Sequence, residues 1–316
     1  MNIVSVVVTY NRKDLLVECL NAILNQTVIP NKIVIIDNNS TDGTYDKLKN
    51  EGIIDNERIV YKKLDENIGG AGGFHEGMKL SLQYNPDWVW IMDDDTIPTK
   101  NCLEQIIKVN SEVFNSSDKI SFYASSIYGM NGECMNVPSV DVSATENGYP
   151  DWYTRLADGI VKISEATFVS LLINADAIKK CGLPCRDFFI WGDDTEFTTR
   201  ITKYYGPAYL VGKSVAIHKR TIAKSLSIYN EDNKNRLKMY YYKTRNNLLV
   251  TKAYKSKKSL FKAIILNYIN IIKILFRPKC KYRFAKAGAL LKGTNAFIFK
   301  RYDYKSFINR MNFKVY

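Results

Sequence analysis

In the first hundred residues, short unbroken apolar runs alternate with stretches in which apolar residues recur every three to four positions. Ile3-Val4-Ser5-Val6-Val7-Val8-Thr9-Tyr10 reads as a buried strand. Asn11, Arg12 and Asp14 then open a helix in which Leu15, Leu16, Cys19, Leu20, Ile23 and Leu24 share one face. A second strand from Lys32 to Asp37 ends in Asn38-Asn39-Ser40-Thr41-Asp42-Gly43-Thr44, a turn rich in helix-capping residues. A third, near 59–64, leads into Asn67-Ile68-Gly69-Gly70-Ala71-Gly72-Gly73-Phe74 and a helix that reaches about Tyr84. The apolar run Trp88-Val89-Trp90-Ile91-Met92 supplies a fourth strand. This alternation predicts an α/β fold, Rossmann-like, with a mostly parallel twisted sheet and helices on both faces.

Each predicted strand end brings polar or glycine residues to one rim: Thr9 to Arg12, Asp37 to Ser40, Asn67 to Gly73 and Asp93 to Asp95. Such a rim suits a nucleotide, because glycines let backbone N–H groups approach phosphate and a strand-end aspartate can hydrogen-bond base or ribose. The glycine loop lacks the spacing of the dinucleotide fingerprint, and nothing matches the phosphate-binding loop of common nucleoside triphosphatases. Dehydrogenase and ATPase chemistry are therefore set aside.

Asp93-Asp94-Asp95 concentrates charge at the end of the fourth strand, a place to hold a metal ion, since adjacent carboxylates repel unless a cation neutralises them. A second acidic group follows in Phe188-Phe189-Ile190-Trp191-Gly192-Asp193-Asp194-Thr195-Glu196-Phe197. Carboxylates beside aromatic rings lose water, which raises their proton affinity and suits general-base work. Capping the helix that begins near Thr195 is an equally available role for Asp193 and Asp194, and the two roles are compatible. Glu196 is placed either to orient the acceptor or to pair with Arg200 at i, i+4.

The segments VSVVVTYNR, VIIDNNSTDGT, ENIGGAGGF, WIMDDD and FIWGDDTEFTTR, in this order, resemble family 2 glycosyltransferases with the GT-A fold, especially their galactofuranosyl- and rhamnosyltransferase branch. The resemblance covers roughly residues 1–220. It implies that Thr9, Tyr10, Arg12 and Asp37 hold the nucleotide base and ribose, that Asn67 with Gly69 and Gly70 faces the donor, and that the acidic triplet stands in place of the Asp-x-Asp motif. Asp93 and Asp95 then become metal ligands and Asp94 touches ribose or sugar. His218 follows a strand-like run and lies 24 positions after Asp194, a separation similar to that of a metal-binding histidine in polymerising galactofuranosyltransferases. Two carboxylates and an imidazole suit manganese, with magnesium the other divalent candidate. His75, the remaining histidine, reads as a surface or packing residue, with a donor contact left open.

The same resemblance implies an inverting reaction in which Asp194 takes the proton of an acceptor hydroxyl. Trp152 and Tyr153 would form the aromatic pair that contacts the acceptor, with Trp191, Asp193 and Glu196 lining the same side; packing is the competing role for the two aromatics. Tyr153 and Gly192 depart from many relatives, which have Trp and a bulkier residue there. UDP-galactofuranose is the expected donor, dTDP-rhamnose the alternative, and a lipid-linked cell-surface glycan the expected acceptor. A non-catalytic sugar-nucleotide scaffold is the alternative of another class, opposed by intact Asp93, Asp95, Asp194 and His218.

Charge divides the chain. Residues 221–316 hold 23 Lys and Arg against 3 Asp and Glu, a net of +20, so the first 220 carry −7 of the overall +13. This predicts a catalytic domain over 1–225 and a basic, mainly helical region over 226–316. The latter contains Tyr240-Tyr241-Tyr242-Lys243-Thr244-Arg245-Asn246, similar to the same transferase branch. In the stretch 260–276, Leu260, Phe261, Ile264, Ile265, Tyr268, Ile271, Ile272, Leu275 and Phe276 share a face opposite Lys262, Asn267, Asn270 and Lys273. Flanking lysines and arginines suit an anionic membrane surface, and the interior lysines and asparagines argue against spanning. Packing against the catalytic domain is the competing role, because Leu266, Ile269 and Ile274 lie on the polar side; an oligomer would allow both. No nucleic-acid module accompanies the basic tail, so no nucleic acid is expected. The opening strand pattern, without a leader, and six cysteines without a zinc pattern fit a cytoplasmic protein peripheral at the inner membrane face.

Overall fold

The computed structural model describes residues 1–115, 117–220 and 227–299. Its N-terminal elements follow the predicted order: β1 (Ile3–Thr9), α1 (Lys13–Leu24), β2 (Lys32–Asp37), α2 (Thr44–Asn50), β3 (Ile59–Lys63), α3 (Gly69–Ser81) and β4 (Trp88–Asp93). There follow β5 (Thr96–Pro98), α4 (Cys102–Glu112), β6 (Phe122–Tyr128), β7 (Cys134–Met135), β8 (Ser139–Val140), β9 (Ile160–Glu165) and β10 (Leu171–Asn174). Then come α5 (Ala175–Cys181), α6 (Asp193–Tyr204) and β11 (Ala208–His218). The eleven strands form one sheet in the order β3-β2-β1-β4-β10-β6-β11-β9-β8, with β5 beside β11 and β7 beside β6.

The expectation of a mostly parallel sheet holds from β3 to β4, where every pairing is parallel. Beyond β4 the sheet is mixed: β10 runs antiparallel between β4 and β6, and β11 is parallel to β6 but antiparallel to β5 and β9. The periodicity at the N-terminus reports βαβ units, whereas the later strands are separated by long irregular stretches that carry no such signal.

Alternate residues of each central strand feed two cores. Ile3 and Val7 of β1, with Ile33, Ile35, Trp88, Trp90 and Met92, meet α1, α2 and α4. Val4, Val6 and Val8, with Val34, Ile36, Val89 and Ile91, meet α3, α5 and α6. Truncating a side chain buried as fully as Trp90 or Phe197 to alanine costs about 3–5 kcal/mol. All six cysteines are free thiols, as expected for reduced residues.

The basic region forms α7 (Lys234–Leu237), α8 (Met239–Tyr254), α9 (Lys257–Phe276) and α10 (Arg283–Ile298). Helices α8, α9 and α10 pack on one another, and α8 also packs on α6. The predicted boundary at 225/226 lies partly outside the described residues, as does the tail from 300 onward. The face assignment for α9 needs correction. Its one fully buried side chain is Ile274, from the side taken as polar, while Phe261, Ile265, Ile272 and Phe276 stay exposed. Asn270 accepts a hydrogen bond from Tyr229 at 2.7 Å and Ile271 and Leu275 pack beside Ile274, so the inward stripe draws on both predicted faces, while Leu266 and Ile269 join the exposed apolar residues. Burial against the catalytic domain therefore does not explain the helix. By length and composition alone, 20 residues with an 18-residue window of mean hydropathy 1.6, α9 is long and apolar enough to cross a membrane, while the interior lysines and asparagines remain the argument against spanning.

Candidate active site

The parallel register of β1, β2 and β4 brings the predicted rim together: Thr9 lies opposite Asp37 and Val8 opposite Asp93. Asp37 is buried, its carboxylate accepting from Ser40 N at 2.7 Å and from the Tyr61 hydroxyl. Asn38 straps the glycine loop to the end of β2, accepting from Ile68 N at 3.0 Å and donating to the Gly69 carbonyl at 2.9 Å. Asn67 accepts from Gly69 N at 2.9 Å. Asn67 thus shapes the loop through its side chain. Gly69 has φ +77°, and a Cβ there would stand 2.0 Å from the Phe189 carbonyl oxygen; at Gly70 a Cβ would meet nothing within 4 Å, leaving space for a ligand. Tyr10 is exposed at the rim. His75 contacts the Pro184 carbonyl through Nδ1 at 2.9 Å, a packing role.

The acidic triplet is held by β1 and the turn after it. Thr9 Oγ1 donates to Asp94 at 2.7 Å, and Arg12 Nη1 reaches Asp94 at 3.2 Å and Asp95 at 2.5 Å. Burial pushes Asp94 up to about 6, against the opposing pull of Arg12 and Thr9. Burial, then the charges of Asp95 and Asp94, raise Asp93 well above the carboxylate range. For Asp95, burial is outweighed by contact with His218 and Arg12, and its pKa lies below the ordinary value.

The antiparallel pairing of β5 with β11, which places Thr96 opposite His218, delivers the imidazole to Asp95. His218 Nε2 stands 3.0 Å from Asp95 Oδ1, yet that buried oxygen has no aligned hydrogen-bond donor. Asn136 Oδ1 lies 2.8 Å from His218 Nδ1 and can accept its proton, and in that tautomer the neutral ring keeps a lone pair on Nε2. A lone pair and a carboxylate oxygen then face one point, an arrangement that a divalent cation satisfies, with Asn136 as the outer partner that fixes the ring. Among the described residues no three His, Cys, Asp or Glu side chains converge closely enough to form a metal centre alone. Of the predicted trio, Asp95 and His218 stand in direct contact at 3.0 Å. The turn at Asp94-Asp95 interrupts the strand alternation that would have put Asp93 and Asp95 on one face.

Asp193 and Asp194 form the first turn of α6, after Gly192 at φ +94°. Asp194 accepts from Thr195 N at 2.7 Å inside the first turn, while the N-cap position itself is Gly192 and makes no side-chain bond, so neither aspartate is the cap. Burial raises its pKa, partly opposed by the N–H groups of Thr195 and Gly192. Asp193 is driven up to about 8, first by burial and then by the charge of Asp194. Asp193 also acts electrostatically on Asp93, and Lys243 of α8 on Asp194, so the two acidic groups and α8 share one site. Such a carboxylate, poised to bind a proton beside a nucleotide-sized rim, can act as a general base.

Glu196 does not face this site. It is 1% exposed, paired with Arg200 at 2.9 Å and hydrogen-bonded by the Tyr254 hydroxyl at 2.7 Å, so the expected i, i+4 pair replaces its expected acceptor contact. Trp191 rests edge-on against Tyr240 of α8, ring centroids 5.1 Å apart. Trp152 and Tyr153 meet edge to face at 5.7 Å, with Tyr153 exposed. Sequence reasoning placed Asn38 on the rim without giving it a role, and missed Tyr61, Asn136, Arg245 and Asn246. Of these last four only Arg245 and Asn246 carried a signal, being part of the tyrosine-rich segment that resembles the same transferases.

Comparison with known proteins agrees with this geometry. Residues 5–112, which run from β1 through β5 and α4, match the family model Glycosyl transferase family 2. The chain is 25% identical over 209 residues to galactofuranosyltransferase GlfT1 of Mycolicibacterium smegmatis, covering 63% of this chain and 65% of that protein. It is 38% identical over 96 residues to galactofuranosyltransferase GlfT1 of Mycobacterium tuberculosis, covering 30% of each. The match thus spans less than two thirds of either relative. Among solved structures, mannosyltransferase PcManGT from Pyrobaculum calidifontis, in complex with GDP-Man and Mn2+, superimposes with a TM-score of 0.54 at 14% identity over 95% of this chain and 88% of that one. That likeness is one of fold.

Proposed function

We propose that the protein is an inverting glycosyltransferase that moves a sugar, galactofuranose from UDP-galactofuranose, to a hydroxyl of a lipid-linked glycan. The observation that carries this reading is the facing of two unlike acidic groups: Asp95 with His218 on the nucleotide rim, and a proton-avid Asp194 at the start of α6. Asp37 and Arg12 would engage base, ribose or phosphate, and the open space at Gly70 would receive the donor.

Asp194 accepts the acceptor's hydroxyl proton as that oxygen attacks the anomeric carbon; the bond to the nucleoside diphosphate breaks on the opposite face, so configuration inverts. A divalent cation, manganese or magnesium, held by Asp95 and His218 would supply Lewis-acid stabilisation of the departing diphosphate. The names of the two mycobacterial relatives favour galactofuranose. The outward apolar side of α9, with Phe261, Ile265, Ile272 and Phe276 exposed and Lys257, Lys258, Arg277, Lys279 and Lys281 at its ends, favours docking on the anionic inner face of the cell membrane, where a lipid-linked acceptor resides. The bond from Tyr229 to Asn270 ties the middle of α9 to the protein and favours lying on the surface over spanning.

Calorimetric titration with UDP and dTDP, each with manganese and with chelator, tests the reading. Metal-dependent preference for UDP is expected. Preference for dTDP would transfer the proposal to rhamnose, and no binding of either would favour a scaffold without catalysis.

A further inference from the structure

The loop that delivers Asp193 and Asp194 to α6 is held in an unusual shape. Phe189 and Trp191 have φ of 64° and 60°, and Gly192 has 94°, a region that residues with side chains rarely occupy. Two such residues so close together persist only where their surroundings fix them.

The fixing group is a pair of side chains on α8, far outside the matched residues 5–112. Asn246, fully buried, aims its Nδ2 at the carbonyls of Phe188, Ile190 and Trp191, at 3.0, 3.2 and 2.7 Å. Its Oδ1 accepts from Arg245 Nε at 3.0 Å and Nη2 at 2.8 Å, and Nη2 also donates to the Asp187 carbonyl at 2.9 Å. A guanidinium offers only protons and a carbonyl only lone pairs, so the amide can face one way: oxygen to Arg245, nitrogen to the loop.

On the other side, Ala71 N at the start of α3 donates to the Phe189 carbonyl at 3.1 Å, and Gly69 leaves no room for a Cβ beside that oxygen. Phe189 stacks on Tyr242 at 4.9 Å. A Cβ at Gly192 would come within 3.1 Å of Asn246 Cβ, so the chain passes α8 at its closest where the catalytic helix begins. The loop is clamped between the glycine-loop helix and the basic region.

We propose that Asn246, oriented by Arg245, is a positioning residue for Asp194: it fixes the path of residues 187–192 and thereby the place of the base relative to the nucleotide rim. The proposal rests on Asp194 being the base. Asparagine is required because the position needs an acceptor toward Arg245 and a donor toward the loop. Asn246→Asp keeps the volume but turns an oxygen toward three carbonyls.

The test combines four measurements on full-length Asn246→Asp: melting temperature, amide hydrogen exchange over 187–194, UDP binding with manganese, and transfer rate against pH. Exchange in the loop should quicken roughly tenfold or more while β1 to β4 keep their protection, UDP affinity should stay within about twofold, transfer should fall roughly tenfold or more, and the acid limb of the pH profile should move. Unchanged loop exchange in a folded variant would overturn the clamp. Wild-type turnover, or turnover and UDP binding falling together with the folded fraction, would overturn the positioning role. Should Asn246→Asp fail to fold, Arg245→Met, which removes the donors to both the amide oxygen and the Asp187 carbonyl, is judged by the same outcomes. A wild-type protein without transferase activity would contradict the functional reading and with it the role of Asn246, while loop exchange would still report whether the clamp exists.

Discussion

On the nucleotide rim, Asp37 and the glycine loop are held by neighbouring parallel strands and by bonds within the turns that follow them. Across the site, the loop before Asp193 and Asp194 takes its shape from Asn246 and Arg245, some 55 to 58 positions later in the chain. The first region is positioned by backbone register, which a βαβ pattern supplies wherever it occurs. The second is positioned by a few buried polar side chains, so its geometry belongs to this chain in particular. Donor binding and acceptor activation can therefore be perturbed separately, and the basic region is part of the active site's framework.

The largest effect should come from the link between α6 and α8. Arg200→Ala leaves Glu196 buried with only the Tyr254 hydroxyl among its present side-chain bonds, and a stability loss of about 3–5 kcal/mol is expected in urea unfolding. The paired substitutions Gly69→Ala and Gly70→Ala sharpen the contrast within one loop. The first forces a Cβ against the Phe189 carbonyl at φ +77° and should cost roughly 1–3 kcal/mol, whereas the second should stay within about 0.5 kcal/mol and act on donor affinity instead. Asn136→Ala frees the His218 ring and should weaken manganese affinity about 10- to 100-fold, read by calorimetry, with little change in metal-free melting.

A pH dependence stands apart from these substitutions. Asp193 binds its proton up to about pH 8 in the folded protein, far above its ordinary value, with burial as the main cause. Between the two values the folded state holds more protons than the unfolded one, so stability should fall as pH rises from about 4 to 8. Asp193→Asn removes this residue's share of the slope, Asp93, Asp94 and Asp194 keeping theirs, and a melting-temperature series in which Asp193→Asn tracks the wild type throughout would contradict the assignment.

The sequence made the rim legible because Thr9, Asp37, Gly69 and Asp93 each end or follow a run whose period announces a strand, and strand ends of parallel sheets share a rim. It also marked Asp194 and His218, through the acidic run and the histidine spacing. It did not report that a two-residue turn at Asp94-Asp95 interrupts the strand, because no periodicity reports such a turn. It left Glu196 between two roles, and only the approach of Tyr254 and burial decide between them. Asn136 was invisible as a site residue because a lone asparagine in a strand connection has no pattern until its partners are in place, and Asn246, though inside the tyrosine-rich segment, had no role until the loop it bonds was in place. The antiparallel β10 had the same difficulty: nothing local to Leu171–Asn174 says that it inserts between β4 and β6.

The most direct measurement compares wild type and Asp194→Asn for sugar transfer from UDP-galactofuranose and for UDP binding on the same preparations. Transfer should fall by about 10²- to 10⁴-fold while the dissociation constant of UDP with manganese stays within about twofold. Transfer at the wild-type rate would remove Asp194 as the base and with it the division of the site into a nucleotide rim and a clamped acceptor loop.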